Sequence, residues 1–134
     1  MKNVIFLIFV SISFSIKGQS CDEIIKLVKK EGGYGTTYTS INSDAISKVT
    51  FYRMTADYKT LYFVIVCFKK EYSYNCTEYI YQVASNTNLS YASNYLSSAG
   101  KAFCTYIQPY NENLGCAPNF KQKGKLVVID FRKF

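Results

Sequence analysis

The chain has 134 residues, 49% of them hydrophobic, carries 16 basic and 9 acidic side chains for a formal charge of +7, and contains no histidine. That length suits one compact unit. The missing histidine removes the commonest general base, the usual triad member and the usual zinc ligand, while the basic excess favours anionic partners without naming one.

Residues 1–18 have the anatomy of an export signal. Lys2 supplies a positive charge, the uncharged run VIFLIFVSISFSI fills residues 4–16, and small and polar residues end it. A run of 13 is too short to span a bilayer, which takes about 20 apolar residues. The expectation is a mature chain from residue 19, without a transmembrane helix and with a charge of about +5 once Lys2 and Lys17 are gone. Two processing routes compete. Signal peptidase cuts near Gly18 or Gln19, or Cys21 becomes a lipid-bearing first residue after Gly18-Gln19-Ser20, although Gly18 stands where a lipobox normally has an aliphatic residue. Lipid on Cys21 would be the one link to a membrane.

CDEIIKLVKKEGG, residues 21–33, reads as a short helix. Asp22 can cap the first turn, Ile24, Ile25 and Val28 share a face with Leu27 at its edge, Lys29 and Lys30 suit the last turn, and Gly32-Gly33 ends it. Residues 34–44 are polar and turn-rich and read as a link. Residues 46–52, ISKVTFY, alternate as a half-buried strand with one irregularity, and residues 53–60 read as a polar turn. LYFVIVCF, residues 61–68, is the strongest strand signal. Its eight apolar or aromatic residues imply a central strand covered on both faces, by the amphipathic segments before and after it.

Residues 72–81, YSYNCTEYIY, hold two tyrosine pairs. Tyr72 and Tyr74 share one face, as do Tyr79 and Tyr81, but five residues separate Tyr74 from Tyr79, so a loop or bulge belongs between the pairs. Residues 69–76 become a hairpin connection and 77–83 a third strand. From Thr87 the period turns helical, with Leu89, Ala92 and Leu96 on one face, Ser85 or Thr87 as cap and Ser98-Ala99-Gly100 as terminator. Phe103, Tyr106 and Ile107 suggest another short apolar turn before Pro109. Residues 110–124 are loop-like, and residues 125–131, KLVVIDF, read as a final edge strand.

Five cysteines, at 21, 67, 76, 104 and 116, leave one over in an exported chain, whereas lipidation of Cys21 leaves four for two bridges. Alternatively, Cys67 packs as a buried thiol. Cys76, Cys104 and Cys116 are expected in bridges, with Cys67 the fourth candidate. A Cys104–Cys116 bridge would close a 13-residue loop and contribute on the order of 3 kcal/mol. No CxxC pair suggests a zinc site, and no glycine-rich phosphate loop appears. Neither metal nor cofactor is expected.

The order Ser43-DAISKVTFY, LYFVIVCF, YIYQV and SSAGKAF resembles the KTSC domain, a short module named for its occurrence at the C-terminus of some lysyl-tRNA synthetases. Ser43 and Ile46, Tyr79 and Tyr81, and Ser98 and Gly100 occupy the places of that family's Ser-x-x-Ile start, Tyr-x-Tyr pair and Ser-x-Gly turn. The likeness covers about residues 43–107. This chain departs from it in a longer connection before Tyr79, in Ala84 where proline is frequent, and in its added N-terminal helix, cysteines and C-terminal strand. The resemblance implies a small mixed fold and, by analogy, nucleic-acid binding; export argues against that partner. No catalytic residues come with it.

The expectation is an α+β domain over residues 19–134: an antiparallel sheet of three to four strands with two helices, stapled by one or two disulfides. The function expected is non-catalytic binding or a structural role at the envelope or outside the cell, with an anionic or carbohydrate ligand. A nucleic-acid module and a small secreted toxin or inhibitor are the alternatives. Tyr79, Tyr81, Tyr91 and Tyr95 form either a ligand platform or core packing; packing is the favoured reading of Tyr79 and Tyr81, which leaves Tyr72 and Tyr74 as contact candidates. Lys121, Lys123 and Lys125 in KQKGK are a solvated run or, alternatively, an anion site. The intact mass of the mature protein should lack residues 1–18. Recovery with Met1 attached would overturn the export reading.

Overall fold

A computed structural model describes residues 20–70 and 75–118. Helix α1 (Cys21–Glu31) precedes four strands, β1 (Thr36–Thr39), β2 (Ile46–Ala56), β3 (Lys59–Lys69) and β4 (Cys76–Val83). Helices α2 (Thr87–Asn94) and α3 (Ala99–Tyr106), a 3-10 turn (Gln108–Tyr110) and the single turn α4 (Asn111–Leu114) follow. The strands make one antiparallel sheet in the order β1-β2-β3-β4, so the architecture is the expected α+β. The proposed signal, Tyr72 and Tyr74, the lysines at 121, 123 and 125 and the final strand lie outside the described residues.

Strand β3 is buried from Phe63 to Phe68, and its alternating side chains divide between two cores. Val64, Val66 and Phe68 join Tyr81, Val83, Phe51, Tyr91, Phe103 and Ile107 on the face covered by α2 and α3. Phe63 and Ile65 join Ile80 and the Ile24, Ile25 and Val28 stripe of α1 on the other. Ile46 and Val49 are three apart yet both sit in the first core, and the register shift between Ile46 and Lys48 explains how. One extra residue restores the face. That bulge is the irregularity seen in ISKVTFY. Leu27 lies at the edge of the helix stripe, as its position implied.

Several boundaries differ from expectation. Residues 36–39 of the polar link form β1, because TTYT alternates: Tyr38 packs inward while the Thr37 and Thr50 hydroxyls meet at 2.9 Å on the opposite face. The expected turn over residues 53–60 shrinks to Asp57-Tyr58, and β2 and β3 pair out to Ala56 and Lys59. Both turn residues have positive φ, 51° and 64°, the conformation of the two-residue hairpins whose twist suits adjoining strands. Ser20 rather than Asp22 caps helix α1: its hydroxyl accepts from the Glu23 N–H, and Asp22 lies inside the first turn.

The helical segment near 90 also differs. Leu89 and Leu96 are largely exposed, and Thr87 and Tyr91 face the core instead. A large ring stacked on another one turn along decides the helix rotation: Tyr91 and Tyr95 are 5.5 Å apart with an 11° interplanar angle. Neither expected cap is the N-cap; that position is Asn86 without a side-chain bond, and the Thr87 hydroxyl accepts from the Ala84 N–H. Ser98 does not end a helix but starts α3, accepting the Lys101 N–H.

Two disulfides join Cys21 to Cys116 and Cys67 to Cys76. The expected pairing is therefore corrected: Cys104 belongs to neither bridge, and the Cys21 sulfur that a lipid anchor would need is bonded to Cys116. Cys67 and Cys76 lie on the same face of adjacent strands, since Cys67 opposes Glu78, two residues from Cys76. Cys116 reaches α1 because the Asn111 side chain clasps both backbone groups of Ala117, the Asn113 amide donates to Gln82 O at 2.7 Å, and Gly115 turns the chain at φ 65°.

Loop length separates the two bridges. In the chain-entropy treatment the 95-residue separation of Cys21–Cys116 corresponds to about 4.7 kcal/mol and the 9-residue separation of Cys67–Cys76 to about 2.7. Denaturant titrations of the paired alanine variants should show the Cys21/Cys116 variant as the less stable. Tyr58 is fully exposed at positive φ, so Tyr58→Gly should raise stability by about 1 kcal/mol. A loss would mean that the ring makes a contact which this hairpin geometry does not show.

Candidate functional site

The tyrosines named from sequence do not form an open platform. Tyr81 is fully buried, its ring 5.7 Å from Phe103, and Tyr79 packs 5.7 Å from Phe68. Tyr91 is also fully buried, and Tyr95 lies at the edge of the same cluster. Tyr38 joins them at 5.1 Å from Tyr95 and 5.9 Å from both Phe51 and Tyr91, and its phenol donates to Asn88 Oδ1 at 2.6 Å. These rings fill the layer between the sheet and α2–α3.

Where that layer reaches the surface a small cleft opens. Its walls are residues 39–43, which connect β1 to β2, and residues 95–99, which connect α2 to α3, and they enclose about 220 Å³. Neither wall carries a formal charge. Ser40, Ser43, Ser97 and Ser98 supply hydroxyls, Tyr95 a ring edge, and the exposed Ile41 and Leu96 an apolar rim. The loop holds its shape through Ser43, whose Oγ accepts from the Ala45 and Ile46 N–H groups at 3.3 and 3.0 Å, and through the Lys69 ammonium, which donates to Ser43 O. The other wall is set by Ser98 as the α3 cap and by Asn94 O, which accepts from Ser97 and Ser98.

Beneath this cleft and elsewhere in the aromatic layer, polar groups are left unpaired. The hydroxyls of Ser40, Tyr91 and Tyr81 are buried and have no hydrogen-bond partner among the described residues. Such groups cost stability. The Ser40 hydroxyl lies close enough to the Tyr91 phenol to affect its titration without meeting hydrogen-bond geometry. Burial pushes Tyr91 up to about 12, Tyr95 adds to the rise and Ser40 opposes it. Burial likewise raises Tyr81, with Tyr79 and Cys104 adding to it, and burial followed by the Tyr95 charge raises Tyr38.

Two further hollows carry other chemistry. One of about 520 Å³ lies at the β2 edge past the last β1 pair, with Tyr52, Arg53, Tyr62 and Asn88 in its wall. Another lies against α1 beside Cys67, where Lys29 is engaged by both Glu78 oxygens at 2.9 Å. No group of three or more potential metal ligands occurs among the described residues. Nor is any helix among them long and apolar enough to cross a membrane. No family model, curated protein or solved structure matches the chain.

Sequence reading missed the cleft as a unit. Ser40 looked like a link residue, Ser97 like the last residue of a helix over residues 87–97 and Ser98 like its terminator, and only the fold brings their two segments together. The signal available was the serine density of the two turns, together with Ser43 and Ser98 in the motifs quoted above.

The phenol shifts fix an alkaline limit. A phenol raised on folding favours the neutral folded form, so its contribution is complete below the ordinary value of 10.0 and is lost as pH climbs through about 12 for Tyr91. Stability should fall between about pH 9 and pH 11.5, by on the order of 2 kcal/mol from Tyr91 alone. Tyr91→Phe should remove that dependence and leave stability at neutral pH unchanged or higher, since the hydroxyl it deletes is unpaired. Tyr38→Phe, which orphans Asn88, should cost about 1 kcal/mol.

Proposed function

We propose that this chain is an exported, non-catalytic binding module that holds a compact polar ligand in the serine-lined cleft. The observation that carries the reading is a preformed hollow between two serine-bearing turns, beneath which the buried Ser40 hydroxyl has no partner among the described residues. Proteins rarely leave such a group unsatisfied without a role for it. Two disulfides among five cysteines support residence in an oxidising compartment, which agrees with the signal-like start of the sequence. The module is non-catalytic in this reading: the cleft offers hydroxyls, but no histidine, carboxylate or cysteine stands in its wall to activate one.

The KTSC likeness adds a second strand of support. Ser43 and Ser98, from separate motifs of that resemblance, line the two opposite walls, so residues far apart in sequence have a shared place in the fold. Its nucleic-acid analogy fits less well. A hollow of about 220 Å³ lies below the 300–1,000 Å³ usual for drug-sized ligands, and so suits one functional group rather than a base with its sugar.

Fragment screening by NMR on the oxidised chain tests the reading. Perturbations should appear first at residues 39–43 and 95–99. Hits confined to the Arg53 hollow would overturn this site assignment. Oligonucleotide binding that weakens steeply with salt would replace the reading with a nucleic-acid one.

A further inference from the structure

We propose that the hollow at the β2 edge is a second binding site, which takes an acidic sugar by pairing its carboxylate with Arg53 and laying its ring against Tyr62. This site is separate from the serine-lined cleft and does not depend on it.

The hollow lies where the helical cover of the sheet runs out. Phe51 is buried, its ring 5.8 Å from Tyr91 of α2, and Arg53, two residues on, shares its face. Arg53 opposes Tyr62 in the β2–β3 register, so the two side chains are neighbours on that face. Tyr62 packs at the margin of the core and is only half-buried. Strand β1 makes its last pair with β2 at Thr36 and Phe51, which leaves this end of the sheet open. Residues 84 and 85 and Asn88 close the other side.

Charge is the first observation. Arg53 stays protonated at any pH the fold meets, and its planar fork matches a carboxylate. It has no ion pair or hydrogen bond among the described residues, and no carboxylate lines the hollow. The positive charge in the wall is left for something outside the described chain, and the basic excess of the whole sequence favours an anion.

The rest of the wall is a second, independent observation. The Tyr38 phenol donates to Asn88 Oδ1 at 2.6 Å, which fixes the amide and leaves its NH2 group to donate. Thr36, Tyr52, Tyr62 and Ser85 bring hydroxyls. Tyr52 is held by the bare backbone beside it, since a Cβ at Gly32 or Gly35 would stand 2.9 Å from its ring. A fork for a carboxylate, several hydroxyl and amide groups and a phenol ring together suit a hydroxylated ring that bears a carboxylate. Size agrees: about 520 Å³ falls inside the roughly 300–1,000 Å³ usual for small-molecule sites.

The test is an NMR titration of the oxidised chain with sodium glucuronate, against glucose, sodium benzoate and sodium chloride at matched concentration and ionic strength. Glucuronate should give saturable shifts at the Arg53, Tyr62 and Asn88 amides, with glucose weaker by about tenfold or more. Arg53→Gln should erase that preference while leaving the unfolding midpoint unchanged. Tyr62→Leu should weaken both sugars alike, by several-fold. Silence of these amides toward glucuronate, shifts that chloride reproduces, or a preference for glucuronate that survives Arg53→Gln would overturn the proposal. Glucose binding as tightly as glucuronate would do so too, and saturation by benzoate alone would replace the sugar with an aromatic acid. Shifts at residues 39–43 and 95–99 report on the serine-lined cleft, so either site can fail without the other.

Discussion

Burial of β3 on both faces is the constraint from which the remaining architecture follows. A strand with six consecutive buried residues cannot face water on either side, so it requires two separate covers and a neighbour along each edge. The chain supplies these in order: α1 for one face, α2 and α3 for the other, β2 and β4 for the edges. At about 25 cal/mol per Å² of apolar surface removed from water, each cover holds its place only while its stripe stays against the sheet. The long-range bridge and the Asn111 clasp keep α1 and α4 together on the first face, where α1 alone offers just three buried residues.

The cleft is a by-product of that layering. Two helices laid on one sheet face must be joined, and so must β1 and β2. Both connections emerge at the same border of the aromatic layer, near Tyr95 and Tyr38. Ring packing then decides which polar groups are trapped underneath. Tyr91 fills the core with its ring, and its hydroxyl is carried inside next to Ser40. An aromatic core made of phenylalanine would bury as much apolar surface without that cost, and the molecule uses tyrosine at both Tyr81 and Tyr91.

What the sequence disclosed depended on how local the cause was. The α1 stripe, the two-faced strand, the irregularity in ISKVTFY and the need for covers on both sides were legible, because each follows from the period of a contiguous segment. The packing of Tyr79 and Tyr81 was legible for the same reason. Helix α2 was misjudged in rotation because Leu89 and Leu96 looked like the apolar face, and only contact with Tyr38 and Phe51 favours the Tyr91 side. The cysteine pairing was hidden because a bridge depends on tertiary proximity, which spacing does not encode: Cys116 finds Cys21 across the whole fold while the nearer Cys104 is in neither bridge. The cleft was hidden likewise, its two walls lying some fifty residues apart in the chain.

The link between Cys21 and Cys116 also changes what cleavage can do. Nearly every described residue lies inside the covalent ring it closes, so one cut by a protease anywhere between those positions opens the ring without releasing a fragment. Both halves stay tethered while their packing and ladder bonds re-form around the nick. In surroundings rich in digestive enzymes, loss of the molecule then requires a second cut or a reductant.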